Sequence, residues 1–255
     1  MTATVASGIR ACVVIPVYNH ERAIGAVLER VSVHGLHVIL VDDGSNESCA
    51  RELDRLSGRP AVTLQRHPTN RGKGAAVITG MRAARERGFT HALQVDADGQ
   101  HALADIPRFL DEARAHPRSV ICGRPVFDAS IPGVRYYGRY LTHGMVWLET
   151  LSLEIRDSMC GFRLYPLEVI APLLEPGRIG ARMDFDTDII VRLHWRGVAT
   201  RWVDTRVTYP IDGVSHFRML ADNLRMISLH VRLTIGMLVR SPVLVWRRLF
   251  DRNDQ

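Results

Sequence analysis

The sequence predicts one large α/β unit whose mostly parallel sheet is covered by helices on both faces. Three observations predict it. Short apolar runs alternate with stretches of helical spacing. The 255 residues are enough for one substantial core. The chemically distinctive residues of the first half follow the apolar runs, at the strand ends where open α/β sheets bind ligands.

Residues 11 to 17 form an apolar run ended by the segment 16 to 19, and residues 21 to 33 carry helical spacing through Ile24, Val27, Leu28 and Val31. Residues 37 to 41 repeat the pattern and end at Asp42-Asp43-Gly44-Ser45, with Ser45 or Asn46 as N-cap of the next helix. A third run, 61 to 64, precedes Asn70-Arg71-Gly72-Lys73-Gly74 and a helix through Ala76, Ile78 and Met81. The fourth, 91 to 95, stops at two carboxylates, and the fifth, 119 to 122, at Gly123-Arg124. Regular alternation stops there, and residues 126 to 133 are expected to form a loop over the site. Farther on, Asp184, Asp186 and Asp188 open a helix with Ile189, Ile190 and Leu193 on its apolar face, and residues 202 to 209 alternate as a last strand.

A hydrophobic content of 46% with 24% charged residues is ordinary for a globular chain and does not suggest disorder or a fibre. The net charge of +6 points to anionic partners: phosphate, nucleic acid or acidic lipid. Cys12, Cys49, Cys122 and Cys160 form no CxxC pair, so neither a disulfide framework nor a zinc site is signalled. No signal peptide and no run of about 18 uncharged apolar residues is seen, so a cytoplasmic protein without a spanning helix is expected.

The acidic turn carries the sharpest chemistry. If residues 91 to 95 are a strand, Asp96 and Asp98 project on the same face, because the pleat repeats every two residues. Their repulsion is relieved by a divalent cation, and Mg²⁺ suits two carboxylates combined with substrate phosphates, with Gln100 as a neutral oxygen. The alternative is a polar turn in which Asp98 caps the next helix. Lys73 lies between glycines that let backbone approach a ligand and supplies a compact positive charge; the alternative is an exposed lysine at a helix start.

Six motifs in order, VVIPVYNHE (13–21), VDDGS (41–45), NRGKGAA (70–76), VDADGQH (95–101), CGFRLY (160–165) and FDTDIIVRLHWRG (185–197), resemble family 2 glycosyltransferases of the GT-A fold. They are most similar to the dolichol-phosphate mannose synthase and polyprenyl-phosphate glucosyltransferase branch. The resemblance covers roughly residues 11 to 210 and implies a Rossmann-like sheet and an inverting transfer from a nucleotide-diphosphate sugar to a lipid-linked acceptor. It implies that Pro16 and Tyr18 contact the base, that Asp42 or Asp43 accepts from base or ribose, and that Asp96, Asp98 and Gln100 hold Mg²⁺ or Mn²⁺ on the diphosphate, with Ala97 and Lys73 also at the donor. Where the family often reads Tyr-Asn-Glu, His20 precedes Glu21, which leaves the base-side carboxylate open.

For the acceptor, the resemblance directs attention to arginines. Arg124, Arg139 and Arg163 are the candidates for a phosphate, which guanidinium groups bind bidentately. Asp157 opens what looks like the acceptor loop, or caps a turn. Asp188 stands where the family commonly has Glu and is the candidate general base or acceptor ligand. A phosphate acceptor needs no base, whereas a hydroxyl of a lipid or glycan does. His216 either positions substrate or caps a helix.

The chain divides into residues 1–210, the glycosyltransferase-like unit, and 211–255, expected as basic amphipathic helices broken at Pro242. Arg218, Arg225, Arg232, Arg240 and Arg247 recur near every seventh residue and trace one stripe beside Leu220, Leu224, Ile227, Val231 and Ile235. Such pairing suits an interfacial helix on an anionic membrane, peripheral on the inner face of the plasma membrane, or a helix packed on the sheet with its basic side wet. A sugar nucleotidyltransferase would need a Gly-rich, Arg-bearing loop after the first strand, which Pro16-Val17-Tyr18-Asn19 is not. Nucleic acid is not expected, since the rim is acidic and the basic stripe alternates with aliphatic residues. A non-catalytic nucleotide-sugar binder is the remaining alternative.

Overall fold

The computed structural model describes residues 8–127, 133–207 and 219–250. The strands are β1 (Ala11–Val17), β2 (His37–Asp42), β3 (Val62–Arg66), β4 (His91–Gln94), β5 (Val120–Phe127), β6 (Arg163–Pro166) and β7 (Thr200–Val207). Between and after them run α1 (Ile24–Ser32), α2 (Glu47–Ser57), α3 (Lys73–Glu86), α4 (Ile106–Ala115), α5 (Gly133–Thr150), the single turn α6 (Leu167–Ile170), α7 (Phe185–Trp195) and α8 (Met219–Phe250). The seven strands form one sheet in the order β3-β2-β1-β4-β6-β5-β7. Only β6 runs antiparallel to its neighbours, β4 and β5.

Alternation along β1 shows how the layers are divided. Cys12 and Val14 face a core shared with Ala76, Val77 and Met81 of α3 and with Ile189 and Ile190 of α7. Val13, Ile15 and Val17 face the opposite core, with Val27 of α1, Leu53 of α2 and Phe109 of α4. A strand buried on both sides has no polar face, which is why β1 reads as a continuous apolar run. All four cysteines are buried free thiols.

Three expectations are corrected. The motif read as acceptor loop continues into β6, a strand too short to show periodicity. The fifth strand runs on to Phe127, and the middle of the expected covering loop, 128–132, lies outside the described residues, as do His216 and the expected end of the last strand. Pro242 does not divide the last segment: α8 is one helix with the proline inside it. Proline cannot donate to the carbonyl four residues back, but Ser241 Oγ donates to that Leu238 carbonyl at 2.9 Å and satisfies it.

Of the two arrangements expected for the last segment, α8 packs on the domain, with its basic stripe only partly in solvent. Leu229, Leu233, Met237 and Leu244 pack into the core beside α7. Three arginines reach back to the protein: Arg240 lies over the Trp195 ring at 4.7 Å, Arg247 donates to the Trp195 carbonyl and Arg248 to the Leu151 carbonyl, both at 3.0 Å, while Arg232, Arg240 and Arg248 remain exposed. Arg225 is paired with Asp222 at 2.7 Å. The side facing solvent is aliphatic, with Leu220, Leu224, Ile227, Val231, Ile235 and Leu238 all exposed. By length and composition Leu220–Phe250 is also apolar enough to cross a membrane, contrary to expectation, because the arginines interrupt the apolar run without reversing its average.

Candidate active site

The carboxyl ends of β1, β2 and β4 and the start of α3 form one rim. Asn19, at φ 55°, stitches the first two turns together: its Oδ1 accepts from Asn46 N at 2.7 Å and its N–H donates to Ser45 Oγ at 3.1 Å. Asn46 in turn caps α2 by accepting from Cys49 N. Tyr18 is half-buried at this rim, whereas Pro16 is buried within β1, paired with Val41, so the ring expected at the base is part of the sheet.

Asp42 and Asp43, expected to accept from base or ribose, brace the loops instead. Asp42 accepts from Ser45 N at 2.9 Å and pairs with Arg66 Nε at 2.7 Å. Asp43 accepts from Arg71 N at 2.9 Å and Gly72 N at 2.7 Å and meets His67 Nδ1 at 2.7 Å. Both are almost fully buried, because the 67–72 loop folds onto the end of β2. Gly72, at φ 106°, also admits the 181–182 segment against this loop, since a Cβ there would strike Ala181 O at 2.5 Å.

The strand ends at Gln94, short of the expected Val95, and Asp98 lies in the following turn, so the pleat does not extend to both carboxylates. Asp96 and Asp98 are nevertheless half-exposed, while Val95 and Ala97 before and between them are buried. Ala97 therefore contributes its methyl group to the core rather than a side-chain contact to the rim. Asp98 Oδ1 accepts from Gln100 N at 3.0 Å, a turn contact rather than a helix cap. Arg30 pins this turn from α1 by donating to the Gly99 and His101 carbonyls.

Lys73 and Asp96 are brought together. Lys73 Nζ donates to Asp96 Oδ2 and to Asp186 Oδ2, each at 2.9 Å. Burial works against the lysine's charge, but the Asp186 and Asp96 carboxylates outweigh it and hold the ammonium's pKa above the ordinary lysine value. Burial likewise opposes the Asp96 charge, yet Lys73 and then His101 bring its pKa below the usual aspartate value. Gly161 closes this cluster: a Cβ there would lie 2.8 Å from Gln94 Nε2 and 2.9 Å from both Asp96 Oδ2 and Lys73 Nζ.

Asp186 is the residue that sequence reading missed. Two residues apart on a helix are about 200° apart around its axis, so Asp186 and Asp188 cannot both face the rim. Asp186 faces it. Asp188 points the other way, accepting from Gly180 N at 2.8 Å and pairing with Arg192. Burial, opposed by Arg192, pushes its pKa up. The expectation of a general base at Asp188 is corrected accordingly: its oxygens are engaged and 1% of the residue is exposed.

The three arginines part company. Arg163 is wholly buried at the start of β6 and donates through Nη1 to the Asp186 carbonyl at 2.6 Å, so it supports the site from beneath and presents no surface to a phosphate. Arg139, on α5, donates to Asp157 Oδ2 at 2.6 Å. Asp157 also accepts from Met159 N and Cys160 N, fixing the loop that carries Gly161. Arg124 remains exposed and is held in a fork by Asp204 of β7, with two contacts of 2.6 Å.

Residues 12–169, the stretch that holds the rim from β1 through Gly161, match the model for "Glycosyl transferase family 2". The chain belongs to this family. Over 240 residues it is 26% identical to the polyprenol monophosphomannose synthase of Mycolicibacterium smegmatis, covering 88% of this chain and 86% of that protein. Over 182 residues it is 33% identical to the UDP-N-acetylglucosamine–dolichyl-phosphate N-acetylglucosaminyltransferase of Methanococcus voltae, covering 64% and 71% respectively. Among solved structures, glucosyl-3-phosphoglycerate synthase from Mycobacterium tuberculosis, crystallised with Mn²⁺ and UDP-glucose, superimposes with a TM-score of 0.65 at 15% identity, covering 91% of this chain and 79% of that one. That likeness fixes the GT-A fold, and the family makes the chain a glycosyltransferase.

Proposed function

We propose that this family 2 enzyme transfers a sugar, with inversion, from a nucleotide-diphosphate sugar to a polyprenyl phosphate. The observation that carries the reading is the half-exposed pair Asp96 and Asp98 at the end of β4, set against Lys73 and the bare backbone of Gly161. The acceptor class is supported by the relatives, among them the mycobacterial polyprenol monophosphomannose synthase.

The rim fits a divalent cation. Two carboxylates and the Gln100 amide are hard oxygen donors, and Gly161 leaves open the space that a side chain would take from Asp96. Among the described residues no group of three or more His, Cys, Asp or Glu is arranged to hold an ion, so further ligands would come from the donor's phosphates. Asp96, Asp98 and Gln100 would hold Mg²⁺ or Mn²⁺, which when bound would offset the charge growing on the departing diphosphate. Lys73 contributes a second positive charge to the same group, and Tyr18 stands at the base side.

On the acceptor side, Arg139 and Arg124 position the phosphate, with Asp157 and Asp204 orienting their guanidinium planes. The phosphate is already anionic and needs no base. The burial of Asp188 favours this acceptor over a hydroxyl. A peripheral membrane contact belongs to the reading, carried by the aliphatic outer side of α8 rather than by its arginines.

Thermal-shift screening of nucleotide sugars with and without Mn²⁺ identifies the donor, since ligand binding adds stability by mass action. Labelled sugar is then expected to move to a polyprenyl phosphate and not to the corresponding polyprenol. Transfer to the polyprenol alone would overturn the acceptor assignment.

A further inference from the structure

Asp96, which the proposed function assigns to a metal, already carries a cation. Lys73 Nζ lies 2.8 Å from its Oδ1 and bridges to Asp186 Oδ2 at 2.9 Å. Asp186 is fixed from behind, where Gln94 Nε2 donates to its Oδ1 at 3.0 Å and Arg163 Nη1 to its carbonyl at 2.6 Å. The Gln94 side chain is wholly buried, and its Oε1 has no partner. An ammonium seated between two carboxylates, with an unused amide oxygen on the neighbouring side chain, is arranged as a metal ion would be.

We propose that Lys73 is a resident cation of the metal site, retained by Asp186, and that a divalent ion must displace its ammonium from Asp96 in order to bind. The inference rests on the reading of Asp96 as a metal ligand. Once displaced, the ammonium stays tethered to Asp186 and turns to the donor's phosphates. Metal binding without nucleotide is therefore weak, and the nucleotide strengthens it by taking over the lysine. Asp186 acts here as a positioning residue, through Lys73.

Mn²⁺ alone, titrated into the full chain and followed by the EPR signal of the free ion, tests this without turnover. Lys73→Met should tighten Mn²⁺ binding about tenfold, and Lys73→Arg, which keeps the charge, should leave it within about twofold. Asp186→Asn leaves Asp96 as the only carboxylate partner of the ammonium and should weaken binding about threefold. Adding Lys73→Met to Asp186→Asn should restore at least the original affinity, because the loss acts through the lysine. Lys73→Gln serves the same comparison if the methionine variant does not fold. Unchanged or weaker binding by Lys73→Met and Lys73→Gln, or no recovery in the double variant, overturns the proposal while leaving the metal reading intact. Absence of Mn²⁺ uptake by the unaltered chain even with UDP overturns both.

Discussion

Gly161→Ala separates chemistry from folding more cleanly than any other single change at the rim. The new methyl group would sit 2.8 Å from Gln94 Nε2 and 2.9 Å from Asp96 Oδ2 and Lys73 Nζ, against an ordinary contact of about 3.5 Å. Each of those atoms must therefore retreat by about 0.6 to 0.7 Å. All three are tips of flexible side chains, so the backbone need not move. The φ of Gly161 is not positive, so alanine is conformationally admissible there and narrows the unfolded ensemble, worth about 0.4 to 1 kcal/mol in favour of folding. That gain roughly offsets the weakened ion pair, and Tm should move by no more than about 4 °C. Misplacing catalytic groups by about 1 Å can cost about a hundredfold in rate, so a loss of about 10- to 100-fold in kcat/KM for the nucleotide sugar is expected. Steady-state transfer assays beside calorimetry measure both quantities. Full activity, or a large fall in Tm with the rate per folded molecule unchanged, would refute the placement of Gly161 against the reacting groups.

Other outcomes follow from the same geometry. Asp188→Asn should keep turnover within about threefold, since the amide oxygen still accepts from Gly180 and a phosphate acceptor needs no base; a loss beyond about a thousandfold would restore Asp188 as base. Gly44→Ala should lower stability by about 2 to 4 kcal/mol in urea melts, because φ is 71° and a Cβ would lie 2.5 Å from the Thr69 carbonyl carbon. Ile227→Glu combined with Ile235→Glu should abolish co-sedimentation with neutral lipid vesicles, and added NaCl should not release the unaltered chain; release by salt would return the arginines to the lipid surface.

Much of the sheet was legible because a strand buried on both faces leaves an uninterrupted apolar run, and β1, β2 and β4 are such strands. The rim was legible for the same reason, since each run stops where the polar residues start. What remained hidden depends on distant parts of the chain. β6 has four residues and begins with an arginine, so only the neighbouring β4 and β5 show it to be a strand. Asp42, Asp43 and Asp188 carry the residue types of a ligand site, yet the fold uses them internally: Asp43 accepts from the distant Arg71 and Gly72 amides, Asp42 from Ser45 N and the Arg66 side chain, and Asp188 from Gly180 N and Arg192. Asp186 could have been preferred by noting that Gln94, a polar residue ending a buried strand, needs a partner, and that only one of two carboxylates spaced by two on a helix can supply it. Where the arginines of the C-terminal stripe lie was only partly legible, because Arg240 and Arg247 find partners in an indole face and a backbone carbonyl while Arg232 and Arg240 stay exposed.

The reversed course of β6 has a consequence for how such an enzyme diversifies. β1, β2 and β4 hand their far ends to the rim, but β6 hands over its beginning, so the segment 151–162 reaches the Lys73–Asp96 cluster through Gly161 before the chain enters the sheet. If this segment receives the acceptor, as proposed, recognition rests on a piece of chain whose length is free of the spacing between the β1, β2 and β4 turns. Lengthening or exchanging that piece should then change the acceptor while the turns proposed to hold the donor keep their dimensions.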